Sequence, residues 1–288
     1  MRGCIIGKLP HPVKPSRGES INLMWSFRNW RRARVLKRTQ LNDGRWQRAL
    51  AHVPLTRGFS ADELRRLREL VILFLHEKTI ETAGGVNLDE AMRLIIAIQA
   101  CVPILNLGLD YYAGWYAVIV YPQQFRPQHE FVDEANVVHV DDDWKMGESW
   151  EHGPVILSWE DVKNSGTGDG FNLVIHEFAH KLDMLNGAPN GAPPLHANMR
   201  LEVWLHVFTH AYADFCARVE RGEDTGIDPY ASESPAEFFA VLSEVFFEVP
   251  LTVQQCYPQV YQQLVLFYRQ DPLSRLGAYL STPAPRAP

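Results

Sequence analysis

The first half of the chain contains two stretches in which apolar residues recur at helical spacing. Ser60 is followed three residues later by Glu63, the spacing of a capping box that satisfies backbone N–H groups at a helix start. The apolar positions after it fall on one helix face: Leu64, Leu67, Leu70, Val71 and Phe74. A second pattern of this kind runs from Leu88 to Cys101, until Pro103 interrupts it. We therefore predict two amphipathic helices that belong to the scaffold.

The middle of the chain changes to short runs rich in β-branched and aromatic residues. These runs are Trp115–Tyr121, Val137–Val140 and Val155–Trp159, and polar or Gly/Pro segments separate them. Because such runs are typical of strands, we predict a small sheet here.

A third helical pattern follows the sheet and is apolar on nearly every side. It runs from Phe171 to about Leu185, after the glycine-rich loop 165–170, and Asn186-Gly187 is typical of a helix C-cap. A helix that is apolar all round has to be buried, so we expect this one in the core.

Two more helices are predicted toward the C-terminus. One runs from about Arg200 to Arg221, and the last strong helix begins at Ser234-Pro235. Helices, strands and helices again are the order of an α+β fold, with helices around a small mixed sheet.

Composition and charge narrow the classes of protein to which the chain can belong. With 288 residues, of which 46% are hydrophobic, it can bury a core without disulfides. The four cysteines lack the paired spacing of a disulfide framework or a thiolate zinc site, so we expect reduced thiols. A net charge of −6 gives no reason to expect nucleic acid as a partner.

Targeting signals and domain organisation follow from the same inspection. The chain start lacks the apolar core of a signal peptide, and the longest apolar run, Leu94–Leu105, is well short of the ~20 residues that a bilayer requires. We therefore expect a cytoplasmic protein with no membrane insertion. Three parts are predicted: a loose N-terminal tail, residues 1–23; an N-terminal arm with a basic stretch, residues 24–58; and a folded domain, residues 59–288.

The buried helix carries the chemistry, in the sequence His176-Glu177-Phe178-Ala179-His180. Two imidazoles four residues apart lie on the same helix face, so both can bind one metal ion. Buried polar groups need partners, and one zinc ion would satisfy both rings. Glu177 lies beside the metal, where its carboxylate can take a proton from the water that the metal activates. This combination predicts a zinc metallopeptidase.

The motif leaves the third protein ligand of a catalytic zinc ion open. Asp183 is interpreted as a residue that orients an imidazole, because its short side chain follows His180 so closely. Glu237 is preferred as the ligand, although Ser234 and Glu237 also have the spacing of a capping box that would occupy this carboxylate. Glu244, two turns along the same face, is the alternative, and spacing alone does not rank the two.

Three further histidines are interpreted as structural. His206 and His210 repeat the four-residue spacing, but no glutamate follows His206, so we take them as ordinary helix residues. His196 lies in a proline-rich loop and has no supporting pattern.

These motifs resemble those of the Mlc titration factor A peptidase family, whose active site is similar to that of the anthrax lethal factor catalytic domain. The resemblance rests on Pro154–Trp159, Gly170–Asp183, Asp228–Ala231 and Ser234–Glu244, and it extends from about Trp46 to Leu276. The resemblance implies a zincin-like catalytic domain within residues 59–288.

The family resemblance also implies specific roles. The third ligand of a single zinc ion falls on Glu237, and the hydroxyl of Tyr230 would lie near the scissile carbonyl. The resemblance further implies aminopeptidase-like activity on small peptide substrates and an association with a glucose-responsive transcriptional repressor. On physical grounds a phenol is a suitable donor to the developing oxyanion.

Overall fold

A computed structural model describes residues 17–85, 87–122, 130–132, 138–140 and 153–281. The chain divides after Gln40 into two units, and the described part of the first unit is helix α1, Arg17–Arg38. Of the predicted loose tail, residues 1–23, residues 1–16 lie outside the described residues, whereas residues 17–23 belong to α1.

The second unit begins at Leu41 and contains the remaining elements. In chain order they are α2 (Asp43–Ala51), α3 (Ala61–Glu77), β1 (Thr79–Thr82), α4 (Glu90–Cys101), β2 (Ala117–Tyr121), β3 (Glu130–Val132), β4 (Val138–Val140), β5 (Val155–Ser158), α5 (Trp159–Asn164), α6 (Leu173–Asp183), α7 (Leu201–Glu220), α8 (Pro235–Glu248), α9 (Pro250–Cys256), α10 (Pro258–Tyr268) and α11 (Pro272–Ser281). Among these described helices, none is both long enough and apolar enough to cross a bilayer.

The sheet is small and its three strands run parallel. β2 lies in the centre, paired with β1 on one side and with β5 on the other. Val118 and Val120, alternate residues of β2, are fully buried, as expected of a central strand. β3 and β4 form a separate antiparallel pair. The predicted α+β class is confirmed, although the sequence pattern did not predict the short strand β1.

Several helices, among them α3 and α6, begin where a capping side chain accepts one of their first N–H groups. Oγ of Ser60 accepts the N–H of Glu63 at 3.2 Å, and the Glu63 carboxylate accepts the N–H of Ser60 at 2.8 Å, so the predicted capping box is confirmed. The helix predicted from Phe171 is α6, whose N-cap is Asn172 and whose last turn leads through a 3-10 turn to Gly187.

The prediction that the helix at Ser234 is the last strong one is wrong. Helices α9, α10 and α11 follow it, and they begin at Pro250, Pro258 and Pro272. A proline at the first helical position removes only an N–H that has no intrahelical partner anyway. Each of these prolines therefore starts a helix instead of ending the helical region.

In the core, α6 packs between a group of aromatic side chains and helix α8. Phe178 is fully buried, and its ring lies 5.0 to 5.8 Å, centroid to centroid, from the rings of Tyr112, Trp115 and Phe74. In α8 every residue from Ala236 to Phe247 is buried. Burying each phenylalanine side chain stabilises the fold by roughly 1.5–3 kcal/mol. Close packing on both sides therefore holds the helix that carries the motif in place.

Candidate metal centre

Asn172 fixes the start of α6. Its Oδ1 accepts the N–H of Ile175 at 3.0 Å, while its Nδ2 donates to Oε1 of Gln99 and to Oε1 of Glu248, each at 2.8 Å. Its own backbone N–H donates to Oε2 of Glu244 at 2.6 Å. Because Asn172 is completely buried, these bonds set the position of α6 relative to α4 and α8.

His176 and His180 face each other one turn apart on α6. Their Nε2 atoms are 3.1 Å apart, and their ring centroids are 4.8 Å apart with an angle of 81° between the planes. The side chains are only 11% and 13% exposed. The structure therefore brings the two imidazoles of the motif together in a largely buried place.

Glu237 completes a three-residue cluster with these rings. Its Oε2 lies 3.0 Å from Nε2 of His176, and its Oε1 lies 3.4 Å from Nε2 of His180. Ser234 caps α8 by accepting the N–H of Glu237 at 3.1 Å, but the carboxylate of Glu237 faces the imidazoles. The capping box that the sequence offered as an alternative is therefore only half formed, and the carboxylate is available to a metal.

Glu244 contacts the outer nitrogen of His176 and is not one of the three residues of the cluster, although the sequence left it open as a ligand. Its Oε1 accepts a hydrogen bond from Nδ1 of His176 at 2.8 Å, and its side chain is 5% exposed. A proton held on Nδ1 leaves the lone pair of Nε2 directed at the centre of the cluster, as a metal ligand requires.

The charges of the cluster favour a cation between these groups. Burial lowers the pKa of His176, but hydrogen bonds to Glu237 and Glu244 outweigh it and raise that pKa to about 10. Burial raises the pKa of Glu237, but hydrogen bonds to His176 and His180 outweigh it and lower that pKa to about 2. A pocket that stabilises an imidazolium this strongly would also stabilise a divalent cation.

The donor atoms fit a tetrahedral metal ion. One ligand atom from each of His176, His180 and Glu237 lies within 4.8 Å of the others, and no other group of three among the described residues does so. Metal bonds of about 2.0–2.1 Å in a tetrahedron place ligand atoms about 3.3 Å apart. The observed separations of 3.0, 3.1 and 3.4 Å are close to that value.

Two further residues of the predicted site lie beside the cluster. Glu177 follows His176 on α6 and is half-buried. Its negative charge acts to raise the pKa of His176 and that of Lys181. Tyr230 lies in the 3-10 turn Pro229–Ser232, is 49% exposed, and has its ring centroid 6.1 Å from that of His176. An acidic and a phenolic side chain thus accompany the cluster.

Comparison with known proteins assigns the chain to a family. The sequence model of the glucose-regulated metallo-peptidase M90 family matches residues 27–269. The chain belongs to this M90 family. It is similar to Mlc titration factor A of Yersinia pestis (strain Pestoides F), with 37% identity over 246 residues that cover 84% of this chain and 90% of the relative. The protein of the same name from Yersinia pseudotuberculosis serotype O:1b (strain IP 31758) gives the same values. The resemblance inferred from the motifs is thereby confirmed.

Asp183 of this M90 chain makes hydrogen bonds to a loop, and its predicted role toward an imidazole stays a prediction, supported by the influence of the charge of His180 on its pKa. Its Oδ2 accepts the backbone N–H groups of Asn190 and Gly191 at 2.8 and 2.7 Å, and its Oδ1 has no hydrogen-bond partner among the described residues. Asp183 therefore holds the loop after α6, while Glu244 orients the imidazole of His176.

His196 of the M90 chain is structural, as expected. It is buried, with Nε2 2.8 Å from the carbonyl oxygen of Phe267 and Nδ1 3.2 Å from the hydroxyl of Tyr111. His206 and His210 lie on the exposed side of α7 and are not part of the buried cluster on α6 and α8.

Sequence reasoning did not single out two residues that support the M90 site. Asn172 precedes an apolar run, a signal that could have identified it as an N-cap. Lys181 is buried on α6 and donates from Nζ to the carbonyl oxygen of Gly153 at 2.9 Å, next to the start of β5. Burial lowers its pKa to about 8, although the charge of Glu177 acts in the opposite direction. For Lys181, the only sign in the sequence that it is buried was its position among the apolar residues of α6.

Proposed function

We propose that this M90 chain is a zinc-dependent peptidase with aminopeptidase-like activity. The observation that carries the proposal is the convergence of His176, His180 and Glu237 beside Glu177. Two imidazoles and one carboxylate suit zinc, and three protein ligands leave a position open for chemistry. The family resemblance supports the preference for peptide amino-termini.

The residues around the cluster have complementary tasks in this proposal. Zinc held by the three ligands would polarise the carbonyl of a peptide bond and lower the pKa of the attacking water. Glu177 accepts the proton of that water and passes it to the leaving amine. With zinc bound in place of the Nε2 proton, Glu244 would hold the remaining proton of His176 on Nδ1 and so keep the lone pair of Nε2 directed at the metal.

Tyr230 serves as the donor to the oxyanion in the proposed reaction. Its exposure and its 6.1 Å ring separation from His176 support a hydroxyl that can reach a substrate next to the cluster. The backbone N–H of Tyr230 donates to Oδ1 of Asp228 at 2.9 Å, a contact that helps to hold the turn.

The substrate backbone lies along β5 in this proposal. β5 is paired only with β2 among the described strands, so its other edge can pair with an extended peptide. Lys181 supports this arrangement because it links α6, which carries Glu177, to the carbonyl of Gly153 just before β5.

Two substitutions test the reaction. Glu177→Gln should reduce turnover by about 10²–10⁴-fold while the chain keeps one zinc ion, because only the proton acceptor is lost. Glu237→Ala should lose much of the metal itself. Glu160→Gln, an exposed position on α5, is the matched control and should change neither quantity. Full activity of the Glu177→Gln variant would refute the mechanism.

The amino-terminal preference needs a separate experiment. Paired peptides that differ only in N-acetylation should be cleaved when the amine is free and resist cleavage when it is blocked. Equal cleavage of both members of a pair would show internal cleavage and refute the aminopeptidase-like assignment.

The name of the relatives favours a second function. Mlc titration factor A is named for the titration of Mlc, and we propose that this chain also binds a glucose-responsive transcriptional repressor. If binding is the main activity, the Glu177→Gln variant should capture the repressor as well as the unchanged chain does. Loss of capture together with turnover would instead make binding a consequence of catalysis.

We further propose the cytoplasm as the compartment in which the protein works. Cys101, Cys216 and Cys256 are free thiols, and reducing compartments keep cysteines in that state. Cell fractionation would test this assignment, and recovery of the protein from an oxidising compartment would contradict it.

A further inference from the structure

A second pair of histidines lies four residues apart on the exposed side of α7. The rings of His206 and His210 have centroids 4.4 Å apart and an angle of 66° between their planes. The corresponding values for His176 and His180 are 4.8 Å and 81°. The exposed pair therefore has nearly the arrangement of the pair in the metal cluster.

The opposite face of α7 holds this pair on a fixed backbone. The buried residues of the helix include Trp204, Phe208 and Phe215, and Trp204 stacks on Phe208 with centroids 4.2 Å apart. At about 100° per residue, the two histidines lie roughly on the other side of the helix. Since packing has already ordered the backbone, chelation would cost only side-chain freedom.

The charges around the pair favour a cation. Asp214 lies one turn after His210, and Glu202, whose Oε2 is 3.8 Å from Nε of Arg200, lies one turn before His206; both acidic residues are exposed. Asp214 also accepts a hydrogen bond from the hydroxyl of Tyr257 at 3.0 Å, which keeps its carboxylate beside the helix. The net charge of the chain, −6, has the same effect at longer range.

We propose that His206 and His210 form a second metal site, which binds one divalent transition-metal ion and prefers Cu²⁺. Imidazole nitrogen suits Cu²⁺, Ni²⁺ and Zn²⁺ but not Mg²⁺ or Ca²⁺, and Cu²⁺ binds most tightly in that series. With two exposed protein ligands, the site is weaker than the buried cluster of three. Its effect is to cross-link one turn of α7, and it takes no part in peptide hydrolysis.

The experiment is a Cu²⁺ titration of the full chain loaded beforehand with one equivalent of zinc, followed by calorimetry and electron paramagnetic resonance, while a chromogenic chelator measures any zinc that Cu²⁺ displaces. One Cu²⁺ ion should bind per chain with a two-nitrogen signature. His206→Asn and His210→Asn should each weaken this binding by at least about tenfold, because each removes one of two ligands.

A register variant provides the matched control. His210→Ala combined with Ala213→His keeps the number of histidines on the exposed face but places them two turns apart, too far to share one ion. It should bind Cu²⁺ as weakly as the single variants, whereas His76→Asn, at an exposed histidine of α3, should leave binding unchanged. Wild-type affinity in the register variant, or an equal loss in the His76 variant, would overturn the proposal. All substituted positions are exposed, and unfolding curves would verify that each variant is folded.

Discussion

Oε1 of Glu244, on α8, accepts a hydrogen bond from Nδ1 of His176 at 2.8 Å. Through its other oxygen it accepts the backbone N–H of Asn172, the N-cap of the same helix, at 2.6 Å. One carboxylate therefore holds both the start of α6 and the imidazole one turn inside it. The direction of Nε2 toward Glu237 depends on this contact, although Glu244 itself does not face the cluster.

Glu244→Gln should weaken zinc binding by about 10–100-fold, because the neutral amide holds the Nδ1 proton less strongly and makes Nε2 a weaker ligand. Competition with a chromogenic chelator measures the affinity. Glu160→Gln is the control, at an exposed glutamate of α5. An unchanged zinc affinity in the Glu244 variant would show that the orientation of His176 is set by packing alone.

Two N-caps of different burial should contribute very differently to stability. Ser60→Ala should cost about 1 kcal/mol, as expected of an exposed cap. Asn172→Ala should cost about 3 kcal/mol or more, since it removes a cap and leaves Gln99 and Glu248 without the donor that both now share. Urea unfolding of the two variants side by side measures the difference. Equal losses would mean that the buried amide network contributes little.

The capping patterns and the metal motif were predictable because they depend on residues close together in the chain. Ser60 and Glu63, or His176 and His180, interact within one helical turn, so sequence spacing determines their geometry. The buried character of α6 was predictable for a similar reason, as its apolar residues surround the helix.

The contacts between α6 and α8 were not predictable from spacing. Glu237 and Glu244 lie two turns apart on one helix face, and only the packing of α8 against α6 decides which faces the metal cluster and which holds His176. The same holds for Asp183, whose hydrogen-bond partners are the N–H groups of a loop. Pattern reasoning fails where a side chain must choose between partners on different elements.

Zinc should stabilise the fold through the three ligands. Binding to the native state alone contributes about 4 kcal/mol at a free zinc concentration of 1,000 times the dissociation constant. Thermal unfolding with zinc and with a chelator measures this shift, and Glu237→Ala should remove most of it because one ligand is lost. His196→Asn is unsuitable as a control because that ring is buried, so His76→Asn, at an exposed position, serves instead. A shift of the same size in the Glu237 variant would exclude the proposed ligand set.

Glu248 should make the free energy of unfolding depend on pH up to about neutrality. Burial, the largest influence, raises its pKa from 4.5 to about 7; bonds from Asn172 and Gly168 oppose the rise, and the charges of Asp169 and Glu244 add to it. A carboxyl with a raised pKa binds more protons in the folded chain than in the unfolded chain. Its stabilising contribution is therefore complete below pH 4.5 and is lost as the pH rises through 7.

Glu248→Gln isolates this contribution, because the amide has nearly the same shape but does not titrate. Between pH 4.5 and pH 8, the free energy of unfolding of the unchanged chain should fall relative to that of the variant by up to about 3 kcal/mol, since each pKa unit corresponds to about 1.4 kcal/mol. Urea unfolding at four or five pH values gives the difference directly, and other titrating groups cancel because both chains contain them. Parallel stability curves would mean that Glu248 is ionised throughout the range, and that its bonds to Asn172 and Gly168 offset its burial.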